Sequence, residues 1–220
     1  MIKDPQPKIQ GHSIVLLGNF NPKIFHPIWF SSQGLIRDSE AQEAEIQIIH
    51  PDAAVFSLGW MKLEVTAQRF MVQTNQEPYY EVIRDLVQGT FSLLRYTPVK
   101  SMGINRDYNF LIGDEQKWHN VGHTLAPKEI WSDILKVPGL EEMSMIGERT
   151  DGLKGFVKFE IRSYKKEEPG ILLLVNNHFD IEKLDQGNTA DIACNLLTNN
   201  WKSCMTEAEN SVYNLLAKLL

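Results

Sequence analysis

Long apolar segments and the features of a secretory signal peptide are both lacking in this sequence. The longest uncharged apolar runs, residues 14–17 and 171–175, are far too short to cross a bilayer, which takes about 20 residues in a helix. The first residues carry no basic segment followed by an apolar core. We therefore expect a cytoplasmic protein that does not enter a membrane.

Cysteine is scarce, since the chain has only Cys194 and Cys204, both within one predicted helix. Ten positions along a helix separate their Cα atoms by about 15 Å, which is too far for a disulfide bond between them. Cys204 falls on the apolar side of that helix, which favours a buried structural thiol over a reactive nucleophile.

The motifs of common catalytic sites are also missing. No serine lies in a Gly-x-Ser-x-Gly elbow, and no glycine-rich loop has the spacing that cradles a phosphate. The sequence therefore indicates no catalytic residue and no cofactor, and it favours a protein that is not an enzyme.

Basic residues are outnumbered, with 22 Lys and Arg against 28 Asp and Glu and a net charge of −6. Nucleic-acid binding depends largely on clustered cations that displace counterions, so this balance disfavours a nucleic-acid partner. The 220 residues are 43% hydrophobic and 23% charged, as in a globular protein that buries its own core. We expect a single domain over residues 1–220, with residues 1–12 as an extended N-terminal arm.

Strand patterns are frequent and occur mostly in hairpins and meanders instead of alternating with helices. The predicted strands cover residues 14–17, 46–49, 54–67, 69–74, 99–110, 143–149, 156–164 and 171–181. Helical spacing follows Pro78, returns in short pieces over residues 118–125 and 129–135, and is strongest over residues 191–220. This order predicts an α+β fold, a mainly antiparallel twisted sheet with helices, including a long C-terminal helix, packed on one face.

The segment over residues 14–36 is dense in turn and capping signals. Pro27 suits the first position of a short helix that ends near Gly34. The rings of Phe25, Trp29 and Phe30 are typical either of core packing or of a surface that contacts a partner protein. At least one ring of the run 28–30 should be partly exposed, because one short helix cannot bury three neighbours against a single element.

The C-terminal helix provides a second candidate contact surface. Its apolar stripe ends in a leucine-rich stretch that includes Leu216 and Leu219, and we expect the stripe to exceed what the sheet can cover. An unknown protein partner or a second copy of the chain would then bind there.

Polar residues interrupt two predicted strands that are otherwise apolar. Asn105 and Arg106 lie in one strand, and Asn176 and His178 lie in the other. If the strands are neighbours, these side chains can converge into a patch suited to a carboxylate or peptide ligand. The alternative is that each strand leaves the core at this point, or that Arg106 pairs with a nearby aspartate.

His119 and His123 are four residues apart, which places two imidazoles on one side of a helix, as a zinc site requires. The glutamate of the metalloprotease pattern is absent, Gly122 weakens the helix, and a third ligand is not evident. Exposed histidines without a metal are the favoured interpretation.

Four stretches of the chain resemble a conserved, uncharacterised bacterial protein family with no known activity. They are VLLGNFNPKIFHPIWF, EPYYEVIRDLVQGTF, the YTP at residues 96–98 and GINRDYNF at residues 103–110. The resemblance implies a bacterial cytosolic source and a single domain, and it implies no catalytic residue, cofactor or substrate.

The leading hypothesis is a non-enzymatic bacterial protein that acts through protein contacts, as a component of a multiprotein system or as a homo-oligomer. The alternative is a small-ligand-binding protein or an enzyme with a polar pocket at Asn105, Arg106, Asn176 and His178. The acidic balance and the lack of catalytic motifs favour the first, and a deep pocket touching the four polar residues would favour the second.

Overall fold

The computed structural model describes residues 5–165, 168–183 and 187–220, and in it nine strands form one antiparallel sheet. Going across the sheet, the strands are ordered β2-β3-β4-β5-β1-β6-β9-β8-β7. Their bounds are β1 Ile9–Gly18, β2 Glu45–His50, β3 Ala53–Leu58, β4 Met61–Thr66, β5 Arg69–Thr74, β6 Val99–Leu111, β7 Glu142–Glu148, β8 Gly155–Lys165 and β9 Pro169–Phe179.

Five α-helices accompany the sheet in the described part of the chain. They are α1 Pro27–Ser32, α2 Asp38–Gln42, α3 Tyr80–Leu93, α4 Glu115–Leu125 and α5 Thr189–Leu219, with short 3₁₀ turns at Pro22–Ile24, Glu77–Tyr79, Lys128–Trp131 and Ile181–Lys183. The predicted α+β fold, with an antiparallel sheet and a long C-terminal helix on one face, is confirmed. None of the described helices combines the length and the apolar character needed to cross a bilayer.

Alternate residues of each strand point to opposite faces of the sheet, and the helices pack on only one of them. We call this the covered face, and it includes Ile14 and Leu16 of β1 and Ile104 of β6, all fully buried or nearly so. The other face, which we call the open face, carries the neighbouring residues Ser13 and Asn105. The open face therefore offers room for a ligand over the central strands.

The apolar residues of the covered face form two separate clusters. The larger one joins the rings of Phe25, Phe30 and Phe70 to α3 and the first half of α5. The smaller one lies under α4 and the second half of α5 and includes Tyr108 and Val212. A strip of buried polar residues separates the clusters, and its members are His12, Arg106 and Asn177.

The N-terminal arm is shorter than expected, because β1 begins at Ile9 and its first residues pair with β6. Residues 9–12 therefore belong to the sheet, and His12 is only 1% exposed. The polar character of this stretch hid the strand, since its pairing partner lies about a hundred residues further along the chain. Residues 1–4 of the predicted arm lie outside the described residues.

Two predicted elements have different boundaries in the structure. Residues 54–67 form two strands, because Gly59 and Trp60 make a two-residue turn between Leu58 and Met61, which pair with each other. The helix expected over residues 129–135 is reduced to a single 3₁₀ turn followed by hydrogen-bonded turns.

The short helix α1 begins as predicted, with Pro27 in its first position and Nδ1 of His26 accepting a hydrogen bond from the Ile28 amide at 3.1 Å. Gly34 follows the helix with a φ of 70°, a left-handed conformation that glycine adopts without strain. Cys204 is buried, as predicted.

The aromatic and leucine side chains proposed as partner contacts lie mostly in the interior. Phe25 and Phe30 are buried, and only Trp29 among the three rings keeps some exposed surface. Leu216 and Leu219 are also buried, because the sheet and α4 cover the apolar stripe of α5 to its end. These four buried side chains are unavailable to a partner in this structure, which corrects the expectation that they form a contact surface.

Candidate functional site

The candidate site lies on the open face, over the centre of the sheet. Strand β6 is flanked there by β1 and β9, and the register places Asn105 beside Ser13 on one side and Asn176 on the other. The two polar strand interruptions are therefore neighbours, and Asn105, Asn176 and His178 share one face of the sheet.

A cleft of about 400 Å³ occupies this position. Its lining comes mainly from open-face side chains of β5, β1, β6, β9 and β8. They are Ser13, Val15, Leu17, Arg69, Gln73, Ser101, Gly103, Asn105, Asp107, Lys158, Glu160, Leu174, Asn176 and His178, and Arg106 and Val175 also border the cleft.

Two amide oxygens converge above Gly103 at the floor of the cleft. A Cβ atom at Gly103 would lie 3.2 Å from Oδ1 of Asn105 and 3.3 Å from Oδ1 of Asn176. Both oxygens are buried and have no hydrogen-bond partner among the described residues. The Asn105 amide nitrogen donates to Oγ of Ser13 at 3.1 Å. The floor therefore presents two hydrogen-bond acceptors without a donor.

Charged side chains around the cleft are mostly paired. Nζ of Lys158 lies 2.9 Å from Oε2 of Glu160, and Nε2 of His178 lies 3.2 Å from Oδ1 of Asp180. The His178 ring also stacks on Phe156, with ring centroids 4.3 Å apart. These contacts hold the side chains in place.

Asp107 is the exception among the acidic residues of the cleft. It forms neither a hydrogen bond nor an ion pair with any described residue. Burial raises the pKa of its carboxyl group, and the positive charge of Arg106 opposes that rise. An unpaired carboxylate thus lies on the same strand face as Asn105, two residues away.

Arg106 does not join the other predicted site residues, because consecutive residues of a strand point to opposite faces. Its guanidinium group lies on the covered face, with Cζ 4.7 Å from the ring centroids of both Tyr80 and Tyr108. Nη2 donates to Oε1 of Gln10 at 3.0 Å, and Nε has no partner among the described residues. The predicted patch therefore forms from three of its four residues.

His12 lies in the same buried strip and was not identified from the sequence. Its Nδ1 is 2.8 Å from the Asn105 carbonyl oxygen, and its Nε2 is 2.9 Å from the indole nitrogen of Trp201. The carbonyl can only accept and the indole can only donate, so the ring is neutral with its proton on Nδ1. Burial lowers the pKa of His12 to about 4, and Arg106 adds to the lowering. His12, Ile14 and Leu16 are two residues apart, and this strand spacing is the sequence signal that predicts a buried position for His12.

The two histidines considered for zinc lie on α4, where His123 is exposed and His119 is half-buried. His119 is 3.7 Å from Glu115, which also contacts Lys165, while Asp114 caps the helix by accepting from the amides of residues 116 and 117. Across the described residues, no three His, Cys, Asp or Glu side chains are grouped to hold a metal ion.

No protein-family model matches the chain, and no curated protein matches it. Among solved structures, the chain is similar to the crystal structure of DynU16, a protein of the dynemicin biosynthetic locus, with 12% sequence identity and a TM-score of 0.27. The comparison covers 91% of this chain and 98% of DynU16.

Proposed function

We propose that the protein binds a small polar ligand in the open-face cleft. The observation that supports this most directly is the pair of buried, unpaired oxygens of Asn105 and Asn176 above Gly103. A buried acceptor without a partner costs about 1–3 kcal/mol, so a ligand that donates hydrogen bonds to both oxygens recovers that free energy.

The dimensions of the cleft agree with such a ligand. Its volume of about 400 Å³ falls within the range of about 300–1,000 Å³ that is typical of small-molecule sites. Apolar side chains such as Val15 and Leu174 lie beside the polar floor, an arrangement in which a few polar groups orient a ligand and apolar surface contributes affinity.

The proposal concerns binding and not catalysis. Amide side chains neither accept nor release protons at neutral pH, and the two amide oxygens are the groups that meet above Gly103. The groups that converge at the floor can orient a ligand, and they do not supply a nucleophile or a general base.

The test compares two glycine-to-alanine variants in a thermal-shift screen of metabolites followed by calorimetry. In Gly103→Ala the new methyl group fills the space between the two amide oxygens, so we expect at least a tenfold loss of affinity. Gly147→Ala in β7 is the matched control, because a Cβ there would meet nothing within 4 Å. If no metabolite binds, or if the two variants bind a ligand equally well, the proposal is wrong.

We also propose contact with another protein as a second candidate function, because one loop exposes several large apolar side chains. They are Ile130, Trp131, Ile134, Leu135 and Val137, all within eight residues that follow α4. Isolated exposed apolar residues are ordinary, whereas a contiguous group is typical of an interaction surface. We call residues 130–137 the apolar loop, and its contribution to self-association is tested by light scattering.

A further inference from the structure

A second cavity continues the candidate cleft along the same strands. It has a volume of about 760 Å³, and Ile9, Asn109, Leu111, Tyr164 and Leu172 contribute to its lining. On β6 the first cavity is lined by residues 101–107 and the second by residues 109 and 111. On β9 the lining passes in the same way from residues 174–178 to residue 172.

The two cavities therefore lie end to end on the open face, and we call them together the trough. From Ser101 to Leu111 the strand advances ten residues, which corresponds to about 34 Å at the rise of an antiparallel strand. Leu174, which pairs with Asp107 in the register, lies between the two ends. An elongated molecule can contact both ends at once.

The polar end of the trough has unpaired acceptors on the open face, and Arg106, which also borders it, directs its guanidinium group to the covered face, against the rings of Tyr80 and Tyr108. Its acceptors are the amide oxygens of Asn105 and Asn176 and the carboxylate of Asp107. Among the described lining residues, Lys158 is paired with Glu160, and Arg69 lies 3.8 Å from Glu64. This set of groups complements a positively charged donor, and an ammonium group supplies up to three N–H donors from one atom.

The other end of the trough offers apolar surface. The side chains of Ile9, Leu111 and Leu172 point to the open face there. The charged residues of the same lining are Lys8, Glu141, Glu142, Arg162 and Glu168. The three apolar side chains provide surface that a hydrocarbon body can bury.

We propose that the ligand of the trough is an elongated amine with an apolar body. Its ammonium group donates to Oδ1 of Asn105 and Oδ1 of Asn176 and lies near the Asp107 carboxylate, and its body extends over Leu174 and Leu172. This inference rests on the proposed function, because it names the class of ligand for the same cleft. A bound cation also offsets the free-energy cost of burying the negative charge of Asp107, whose pKa is raised in the free protein.

The test uses calorimetry at neutral pH with three probes: octylammonium, butylammonium and octanoate. We expect octylammonium to bind at least tenfold more tightly than butylammonium, because its longer chain reaches Leu174 and Leu172. Octanoate should bind more weakly than octylammonium, since its carboxylate faces two acceptor oxygens and Asp107.

Two variants test the polar end and the apolar end of the trough separately. Asp107→Asn should weaken both amines by about tenfold, since the counter-charge is lost. Leu172→Asn should weaken octylammonium and leave butylammonium unchanged. Both residues are partly exposed, and thermal unfolding of each variant checks that the fold is intact.

Each alternative result has a defined meaning. If octanoate binds as tightly as octylammonium, the ligand is not an amine. If the two amines bind with equal affinity, the ligand has no elongated body. If neither variant weakens amine binding, the amine binds outside the trough and the proposal is wrong. Failure of all three probes to bind overturns this inference alone, because the proposed function depends on the separate metabolite screen and on Gly103→Ala.

Discussion

His12 is a buried imidazole whose two nitrogens are both engaged, one by a carbonyl oxygen and one by an indole N–H. Protonation would direct a second N–H against the Trp201 donor and would place a charge in the core. The pKa of the ring is about 4 in the folded protein and 6.5 in the unfolded chain. Between these values the unfolded chain binds more protons, so stability is lost as the pH falls from about 6.5 to about 4.

The first prediction is that the free energy of unfolding falls by about 3 kcal/mol over this pH range because of His12 alone. His12→Gln should be less stable than the wild type at pH 7 and should show a flatter dependence on pH. Urea unfolding between pH 4 and pH 7.5 measures both. His50→Gln, at an exposed position, is the control. If the free energy of unfolding of His12→Gln still falls with pH as in the wild type, His12 is not the cause of the pH dependence.

The second prediction concerns Asp107, whose carboxyl pKa is raised by burial. Above the ordinary pKa of 3.8 the folded protein binds more protons at this site than the unfolded chain, so the ionised group destabilises the fold at neutral pH. Asp107→Asn should therefore raise the free energy of unfolding at pH 7, and the gain should disappear near pH 3. The exposed Asp133→Asn should show no such gain, and a loss of stability in Asp107→Asn at pH 7 would mean that the carboxylate has a stabilising partner.

At the level of single elements, α5 illustrates how an apolar stripe can be explained by packing. Leu216 is 1% exposed and belongs to the smaller apolar cluster, whereas Leu220 follows the helix and is 43% exposed. The stripe extends over the 31 residues of the helix because the sheet, α3 and α4 all contact it. A partner protein is not needed to cover it.

The third prediction follows from this contrast. Leu216→Ala should lower the free energy of unfolding by about 2–5 kcal/mol, since it leaves a cavity in a packed core. Leu220→Ala should change it by less than about 0.5 kcal/mol. Denaturant unfolding measures the difference, and light scattering should give the same molar mass for both variants. A Leu216→Ala variant that keeps its stability and changes its molar mass would restore the helix as a contact surface.

Elements with a strong local pattern were predictable from the sequence, and those defined by distant pairing were not. Helix α5, strand β6 and the three-strand meander follow from apolar spacing alone, because their periodicity is continuous. The start of β1 was missed since Ile9 is followed by Gln10, Gly11 and His12, which show no apolar alternation, and the stretch pairs with the distant strand β6. The hairpin at Gly59 was missed because the apolar alternation continues across its turn.

At the level of the whole molecule, the candidate site depends on a strand order that no local pattern contains. Asn105 meets Ser13 and Asn176 only because β1, β6 and β9 are neighbours, although their residues are separated by about 70–90 positions in the chain. The polar interruptions indicated a polar patch only on the condition that the two strands are neighbours. Consecutive residues of a strand point to opposite faces, so Asn105 lies on the open face and Arg106 lies on the covered face. The sequence does not show which face the helices cover, and it therefore could not separate these two residues.

The last prediction combines the net charge of −6 with the apolar loop at residues 130–137. If two copies associate through this loop, like charges oppose the contact and added salt screens that repulsion. The fraction of dimer measured by light scattering should therefore rise between about 50 mM and 500 mM NaCl, over which the Debye length falls several-fold. Ile134→Glu should reduce the dimer at every salt concentration without loss of stability, because its side chain is 71% exposed. Ile28→Glu, 64% exposed and outside the loop, is the matched control. A protein that stays monomeric at high salt, or that associates equally well in both variants, would remove the apolar loop as a self-association surface.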